Sequence, residues 1–319
     1  MSRLSQLFKK NGGMSLVRDY MSQGVMCYAL MQIAILGKSD AALQLLRKGV
    51  SIKLRNKLNK QFKNEISQFV TNYNEQEFEH ERPRKIWFCW MQGIENAPAL
   101  VQKCYDSLVT NIKDKEIVLL TSENFLKYAV NIPDYILKKY QQGIITHTHF
   151  SDILRIELLA EHGGTWIDAT VFCFGSNIPK YMLDSDLFMF QNLKPGSNGS
   201  VNNISSWFIT SISHHKIIML TRELLRSYWK KNDSLINYFL IHHFVCMSIN
   251  AYKKDFNDTV IAFPNSIPHI LLLMLFDEFN QEKWDAIMSM CPFHKLAYKR
   301  TAEEMARPNT YYQYIMNHG

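Results

Sequence analysis

Two carboxylates and a guanidinium are the side chains best suited to chemistry in this sequence: Asp152, Arg155 and Asp168. Asp152 and Arg155 are three positions apart, so on a helix they share one face. An ionised carboxylate is costly to bury without a partner, so Asp168 is expected to face a cleft, a cation or a set of donors. If all three meet in one cleft, the mixture suits a sugar with hydroxyls and a phosphate. The alternative is structural, with Asp152 favouring a helix N-terminus and Arg155 as its ion-pair partner.

The segment that carries these residues, 150–175, reads FSDILRIELLAEHGGTWIDATVFCFG. Its apolar positions predict a mostly buried helix that begins at Ser151, which can cap it, and ends at Gly163 and Gly164. TWI and VFC predict strand on either side of an interruption at 168–170. This interruption places Asp168 at a break in an apolar strand.

The pattern SDILR followed by HGGTWIDAT resembles the bacterial capsular polysaccharide synthesis protein family. That family is related to the nucleotide-sugar glycosyltransferases of the GT-A fold that carry a DXD sugar-binding motif. The resemblance covers roughly residues 83 to 300, and six further segments share it: KIWFCWMQG, APALVQKCYDSL, IVLLTSENFLKYA, SSWFITSISHHKII, NYFLIHHF and HKLAYK. The combination of SD-x-x-R with GG-x-x-x-D is more specific than either half alone.

The resemblance implies an α/β, Rossmann-like GT-A glycosyltransferase domain and a hexosyltransferase type of activity. It implies transfer of a hexose or N-acetylhexosamine from a UDP-sugar to a growing capsular or exopolysaccharide acceptor, with retention of anomeric configuration. The alternative is a catalytically degenerate subunit of a polysaccharide assembly complex, which binds a nucleotide-sugar or docks on a membrane.

The resemblance also implies roles for individual residues. Asp152 and Arg155 would contact the donor sugar and its phosphate, and Asp168 would contact the donor and help to hold a metal. The second aspartate of a DXD motif is normally a metal ligand, but Thr170 stands there, and a hydroxyl is a poorer ligand for Mn²⁺ or Mg²⁺. We expect a weakened metal site of Asp168, Thr170 and His242; the alternatives are that protein cations replace the metal or that catalysis is lost.

The nucleotide half of the site is expected near the first strand, in KIWFCWMQG. Trp87 and Trp90 lie on opposite faces of a strand, so at most one of them can face the uracil. Trp90 is nearer the strand end, and we expect it to contact the donor together with Gln92. Arg155 and Lys299 are expected to neutralise the negative charge on the departing diphosphate.

Several other enzyme classes find no support in the sequence. It contains no G-x-S-x-G nucleophile elbow and no G-x-x-x-x-G-K-S/T phosphate loop. Its paired histidines lack a cysteine or a third ligand at zinc-site spacing. Its six scattered cysteines are expected to be reduced and buried, as in a cytosolic protein.

The positive charge of the chain is concentrated in its first 63 residues, which hold 12 Lys or Arg and 2 Asp, a net of +10. Since the whole chain carries +7, the remainder carries −3. In SIKLRNKLNKQFK, helical spacing would place Leu54, Leu58 and Phe62 in an apolar stripe beside basic residues, which predicts contact with an anionic membrane. The alternative is a helical appendage packed on the catalytic core. No nucleic-acid partner is expected, because no recognised module accompanies the basic stretch.

The polar stretch NEQEFEHERPR at 74–84 predicts the boundary between two units. Residues 1–80 would form a basic helical segment and residues 81–319 the GT-A domain. The run VMCYALMQIAIL is too short to span a bilayer, and the first residues lack a secretory signal pattern. We therefore expect a cytoplasmic protein, peripheral at the inner face of the cell membrane, with a lipid-linked or free oligosaccharide as acceptor.

Overall fold

A computed structural model describes residues 20–21, 24–37, 39–193 and 204–318. The strands are β1 Lys85–Cys89, β2 Glu116–Leu120, β3 Gly164–Ile167, β4 Val171–Cys173, β5 Leu187–Gln191, β6 Ile204–Ser211 and β7 Phe293–Lys295. The helices before β4 are α1 Met26–Leu36, α2 Asp40–Gln61, α3 Lys63–Asn72, α4 Ala99–Asn111, α5 Phe125–Tyr128, α6 Asp134–Gln141 and α7 His147–His162. Those after β4 are α8 Lys180–Leu183, α9 Lys216–Lys231, α10 Leu240–Ala251, α11 Lys253–Thr259, α12 Ile270–Met274, α13 Gln281–Met290, α14 Ala302–Ala306 and α15 Tyr311–His318.

Five strands form the central sheet, in the order β2-β1-β3-β6-β5. β1 runs parallel to both β2 and β3, whereas β6 runs antiparallel to β3 and β5. β4 and β7 pair separately as a short antiparallel sheet. The predicted α/β class is confirmed, and so is the helical N-terminal segment over its described residues; residues 1–19 lie outside them. The sheet has the mixed, parallel-centred form expected of a GT-A domain.

Both faces of the central sheet are covered, so most of its strand residues are apolar. Trp87 and Trp166 belong to the core beneath α7, α9 and α10, whereas Phe88 and Ile167 belong to the core on the opposite face. Adjacent strand residues point to opposite faces, which is why neighbours in the chain join different cores. The same alternation explains why Trp87 and Trp90 pack against different cores, as predicted.

Helix α7 and strand β3 meet at a pair of glycines. The helix ends at Gly163, with φ of 63°, and Gly164 begins the strand with φ of 100°. A Cβ at Gly164 would lie 2.6 Å from the carbonyl oxygen of Lys85 on the neighbouring strand. The predicted stop was correct, but the predicted start was wrong: α7 begins at His147, after Thr146, and Ser151 lies inside it. His149 and Phe150 are buried, so the buried face extends one turn further than expected.

The first helices pack onto this domain. Leu54, Leu58 and Phe62 are fully buried, and the Phe62 ring meets Phe244 of α10 edge to face at 5.2 Å. The predicted membrane-facing stripe is therefore wrong, because these three side chains form part of the protein core. The packed appendage is what the structure contains: Lys53, Lys57 and Lys60 are exposed, whereas Arg55 is buried. Among the described residues, no helix combines the length and the apolar character needed to cross a membrane.

Candidate active site

A cavity of about 430 Å³ opens beside the carboxyl ends of the parallel strands β1 and β3. Its volume lies within the range typical of small-molecule sites. Six of the eight residues predicted for the site line it: Trp90, Asp152, Arg155, Asp168, Thr170 and His242. The turn after β1, helix α7, the bend after β3 and helix α10 therefore bring these six side chains to one place.

Arg155 is the buried link between the two carboxylates. Its Nη2 atom lies 3.2 Å from Oδ1 of Asp168 and 3.3 Å from Oδ1 of Asp152. Nη1 donates a hydrogen bond to the carbonyl oxygen of Ser206 on β6. The guanidinium carbon lies 4.9 Å from the ring centroid of Trp166, in a cation–π arrangement. One guanidinium thus fixes the positions of α7, β3 and the start of β6 around the cavity.

Asp168 is held by donors on both of its oxygens. Oδ1 accepts hydrogen bonds from Arg155 and, at 2.9 Å, from Nε1 of Trp166. Oδ2 lies 2.8 Å from Nζ of Lys295. Burial alone would raise the pKa of Asp168, but the charges of Lys295 and Arg155 and these hydrogen bonds outweigh it and hold the pKa below its usual value. Asp168 is therefore ionised at neutral pH.

Lys295 is a charged cavity residue that the sequence prediction missed. It ends β7, whose pairing with β4 places it opposite Val171. Its Nζ lies 2.9 Å from Oγ1 of Thr170 as well as against Asp168. The motif HKLAYK contains both Lys295 and Lys299, and the prediction chose Lys299. Lys299 is exposed, and its Nζ lies 5.8 Å from the ring centroid of Tyr298. Lys299 does not line the cavity.

The two tryptophans of β1 and its following turn occupy different environments. Trp87 is fully buried, and its Nε1 donates to the carbonyl oxygen of Gly163 at 2.8 Å. Trp90 lines the cavity, and no described atom accepts a hydrogen bond from its buried Nε1. Gln92 lies outside the cavity, on the exposed turn, where its carbonyl oxygen accepts from Nδ2 of Asn96 at 2.8 Å. The turn after β1 points the Gln92 position away from the cavity that Trp90 lines.

His242 contributes a neutral imidazole to the cavity. Burial lowers its pKa to about 4, so the ring is uncharged at neutral pH. Its Nε2 lies 3.3 Å from Oγ of Ser206. The adjacent His243 instead faces the interior, where its Nδ1 accepts from Nε of Arg55 at 3.1 Å. Only the first member of this histidine pair is available to a ligand.

The three side chains predicted to bind a metal share the cavity, but their donors do not suit a divalent cation. Asp168 and Thr170 already accept hydrogen bonds from the ammonium of Lys295. The described residues contain no group of three His, Cys, Asp or Glu that could hold a metal. A divalent ion on the same carboxylate would lie roughly 4 Å from this ammonium. Their repulsion would be on the order of 8 kcal/mol at an effective dielectric constant near 20.

Comparison with known proteins places the chain among polysaccharide-building proteins. Residues 42–315 match the family model described as "Capsular polysaccharide synthesis protein". A curated relative, "Glycosyltransferase afumC" of Aspergillus fumigatus (strain CBS 144.89 / FGSC A1163 / CEA10), is 28% identical over 101 residues, which are 29% of this chain and 26% of that protein. The chain thus matches about a quarter of that relative's length.

A solved structure named "PaToxG Glycosyltransferase" aligns with 85% of this chain and 97% of its own, at 16% identity and a TM-score of 0.35. A likeness at this level supports no conclusion about function. The family match is stronger evidence, because it spans most of the chain and begins inside α2. The resemblance carried by SDILR and HGGTWIDAT is confirmed: the chain belongs to the capsular polysaccharide synthesis protein family.

Proposed function

We propose that this protein is a glycosyltransferase that moves a hexose or N-acetylhexosamine from a UDP-sugar to a growing capsular or exopolysaccharide. One observation carries the proposal. Asp152, Arg155 and Asp168 converge on a cavity at the carboxyl ends of parallel strands, in a chain of the capsular polysaccharide synthesis family. Retention of anomeric configuration is part of the proposal and comes from the family resemblance alone.

The proposed roles follow from the chemistry of each side chain. A nucleoside diphosphate leaves with additional negative charge, and a buried guanidinium can stabilise it without reorganising. Arg155 would supply that charge. Asp152 would accept hydrogen bonds from sugar hydroxyls, since its carboxylate lies at the cavity wall. Trp90 would contact the base, with its Nε1, which has no acceptor among the described residues, as a donor to a uracil carbonyl oxygen.

A binding subunit without activity is the second candidate, and Thr170 favours it because a carboxylate would be the stronger ligand for a metal. Purified protein would be incubated with UDP-sugars and capsular oligosaccharides, and UDP release and elongated product would be measured. We expect turnover by the wild type and a loss of about 100-fold or more in Asp168→Ala. The exposed Asp114→Ala variant is the matched control. Binding of UDP-sugars without any turnover would favour the subunit.

We also propose that the enzyme works at the cytoplasmic face of a membrane, where a lipid-linked acceptor would lie. Helix α1 exposes four large apolar side chains, Leu30, Met31, Ile35 and Leu36. Lys53 of α2 places its Nζ 5.0 Å from the ring centroid of Tyr28 of α1, so positive charge borders this face. Apolar contact beside basic residues suits anionic lipid.

The membrane proposal is tested by sedimentation with vesicles of phosphatidylglycerol and phosphatidylcholine. Binding to the anionic vesicles should be lost in Leu30→Glu/Ile35→Glu. Wild-type protein that stays in the supernatant with both kinds of vesicle would contradict the membrane location and leave the transferase assignment standing.

A further inference from the structure

We propose that the Lys295 ammonium is the resident cation of the donor site and contacts the diphosphate in place of a divalent metal. The inference rests on the proposed function, since it assigns a phosphate-binding residue to the same cavity. It accounts for two observations together: the hydroxyl at Thr170, and the lysine that reaches this hydroxyl from a distant part of the chain.

The geometry places the ammonium between the two side chains that would otherwise hold a metal. Nζ of Lys295 lies 2.8 Å from Oδ2 of Asp168 and 2.9 Å from Oγ1 of Thr170. Both distances are those of ordinary hydrogen bonds. The side chain is largely buried, and Lys295 lines the same cavity as Arg155. An ion that entered between Asp168 and Thr170 would have to displace this ammonium.

The charges of this arrangement balance without a metal. A divalent ion and two carboxylates have a total charge of zero. An ammonium, one carboxylate and one hydroxyl also have a total charge of zero. Thr170 supplies no negative charge, so the matching cation carries one positive charge rather than two. Thr170 is then the hydrogen-bond partner of Lys295. Its replacement of the usual aspartate does not imply a loss of activity.

The ammonium also retains capacity for a ligand. A lysine side chain has three N–H donors, and Asp168 and Thr170 accept two of them. The third can be donated to a phosphate oxygen. The backbone around Lys295 is fixed, because the next residue, Leu296, donates its N–H to the carbonyl oxygen of Thr170 at 2.8 Å. A positioned cation of this kind needs little rearrangement when charge develops on the diphosphate.

The test is calorimetric titration of the full chain with UDP and with inorganic pyrophosphate, each in excess EDTA and again with Mn²⁺. We expect the wild type to bind UDP in EDTA with an affinity that Mn²⁺ changes less than about threefold. Lys295→Met, which keeps the stem and removes the charge, should weaken binding at least about tenfold, the equivalent of one lost charged hydrogen bond. Lys295→Arg, which keeps the charge, should retain part of the affinity.

Lys283→Ala, at an exposed position on α13, is the matched control, and thermal melts establish that each variant is folded. Wild-type UDP binding that requires Mn²⁺, or equal affinity in folded Lys295→Met and Lys283→Ala, would overturn the inference while the transferase proposal stands. Metal-free binding of pyrophosphate alone, lost in Lys295→Met, would support the inference and remove the uridine assignment. Failure of both probes to bind, with or without Mn²⁺, would overturn the inference and the donor site together.

Discussion

At the scale of single residues, Arg155 holds the candidate site together. It contacts the carboxylates of Asp152 and Asp168 with one nitrogen, the carbonyl oxygen of Ser206 with another, and the ring of Trp166 with its flat face. Only a planar guanidinium can make all of these contacts at once, because an ammonium is a compact point charge without a stacking face.

Arg155→Lys keeps the positive charge, but we still expect this variant to lose activity. We expect kcat for UDP-sugar turnover to fall by about 10² to 10³, because the two carboxylates are no longer held in one geometry. Steady-state assays of UDP release measure this. Arg82→Lys, at an exposed ion pair with Asp186, is the conservative control and should match the wild type. Wild-type kcat in Arg155→Lys would show that the bridging geometry is unimportant for turnover.

Six of the eight residues predicted from the sequence line the cavity, and the failures at Lys295 and Lys299 have a physical reason. Asp152, Arg155 and Asp168 could be predicted because they lie within one short segment with a clear helix-turn-strand pattern. Lys295 could not be predicted, because it reaches Asp168 only through the pairing of β7 with β4, a contact between segments more than a hundred residues apart. Lys299 was chosen over it within the same motif, and nothing local distinguishes the two lysines.

At the scale of secondary-structure elements, the junction between α7 and β3 determines where Asp168 lies. Gly163 and Gly164 both have positive φ, and at Gly164 the β1 backbone leaves no room for a side chain. This close approach sets the spacing of the parallel strands at their amino ends, opposite to the end that borders the cavity. The glycine pair was predicted as a helix end, but the contact with β1 depends on sheet order, which the sequence pattern did not show.

Gly164→Ala should destabilise the fold more than alanine at Gly143, a positive-φ glycine with open space around it. Gly143 has φ of 73°, and a Cβ at this position would have no neighbouring atom within 4 Å, so Gly143→Ala reports the backbone strain alone, about 1 kcal/mol. Gly164→Ala adds a collision at 2.6 Å with a backbone oxygen, and we expect a total of about 3 kcal/mol or more. Urea unfolding of both variants gives the difference; equal losses would mean that the close approach is not rigid.

At the scale of the whole molecule, buried histidines contribute to the loss of stability in acid. Burial lowers the pKa of His242 and His294 to about 4 and that of His243 to about 3. An unfolded histidine titrates near 6.5. Between these values the unfolded chain binds more protons than the folded one, so the free energy of unfolding falls as the pH drops from about 6.5 to about 4. Above about 6.5 these groups contribute no pH dependence.

His294→Leu removes one of these titrating groups from the core. Each such histidine contributes at most about 1.4 kcal/mol per pH unit, so the variant should lose stability less steeply between pH 6.5 and 4.5. Urea unfolding at a series of pH values measures the slope. His147→Leu, at an exposed position, is the control and should follow the wild type. An unchanged slope in His294→Leu would show that its burial does not suppress protonation.

The N-terminal helices show where a sequence pattern reaches its limit at this scale. An amphipathic stripe such as Leu54, Leu58 and Phe62 looks the same whether it faces lipid or protein. Only the position of α10 and the partner ring of Phe244 decide that it faces the core. The family match from residue 42 onward is consistent with α2 belonging to the shared architecture.

The most direct test of the central claim, that this cavity receives a UDP-sugar, is hydrogen–deuterium exchange of the wild-type protein with and without saturating UDP. We expect slower exchange in the turn after β1, at the bend between β3 and β4, and along β7, because these three elements carry Trp90, Asp168 and Lys295. Unchanged exchange in all three, with UDP bound elsewhere in the chain, would contradict the assignment of this cavity as the donor site.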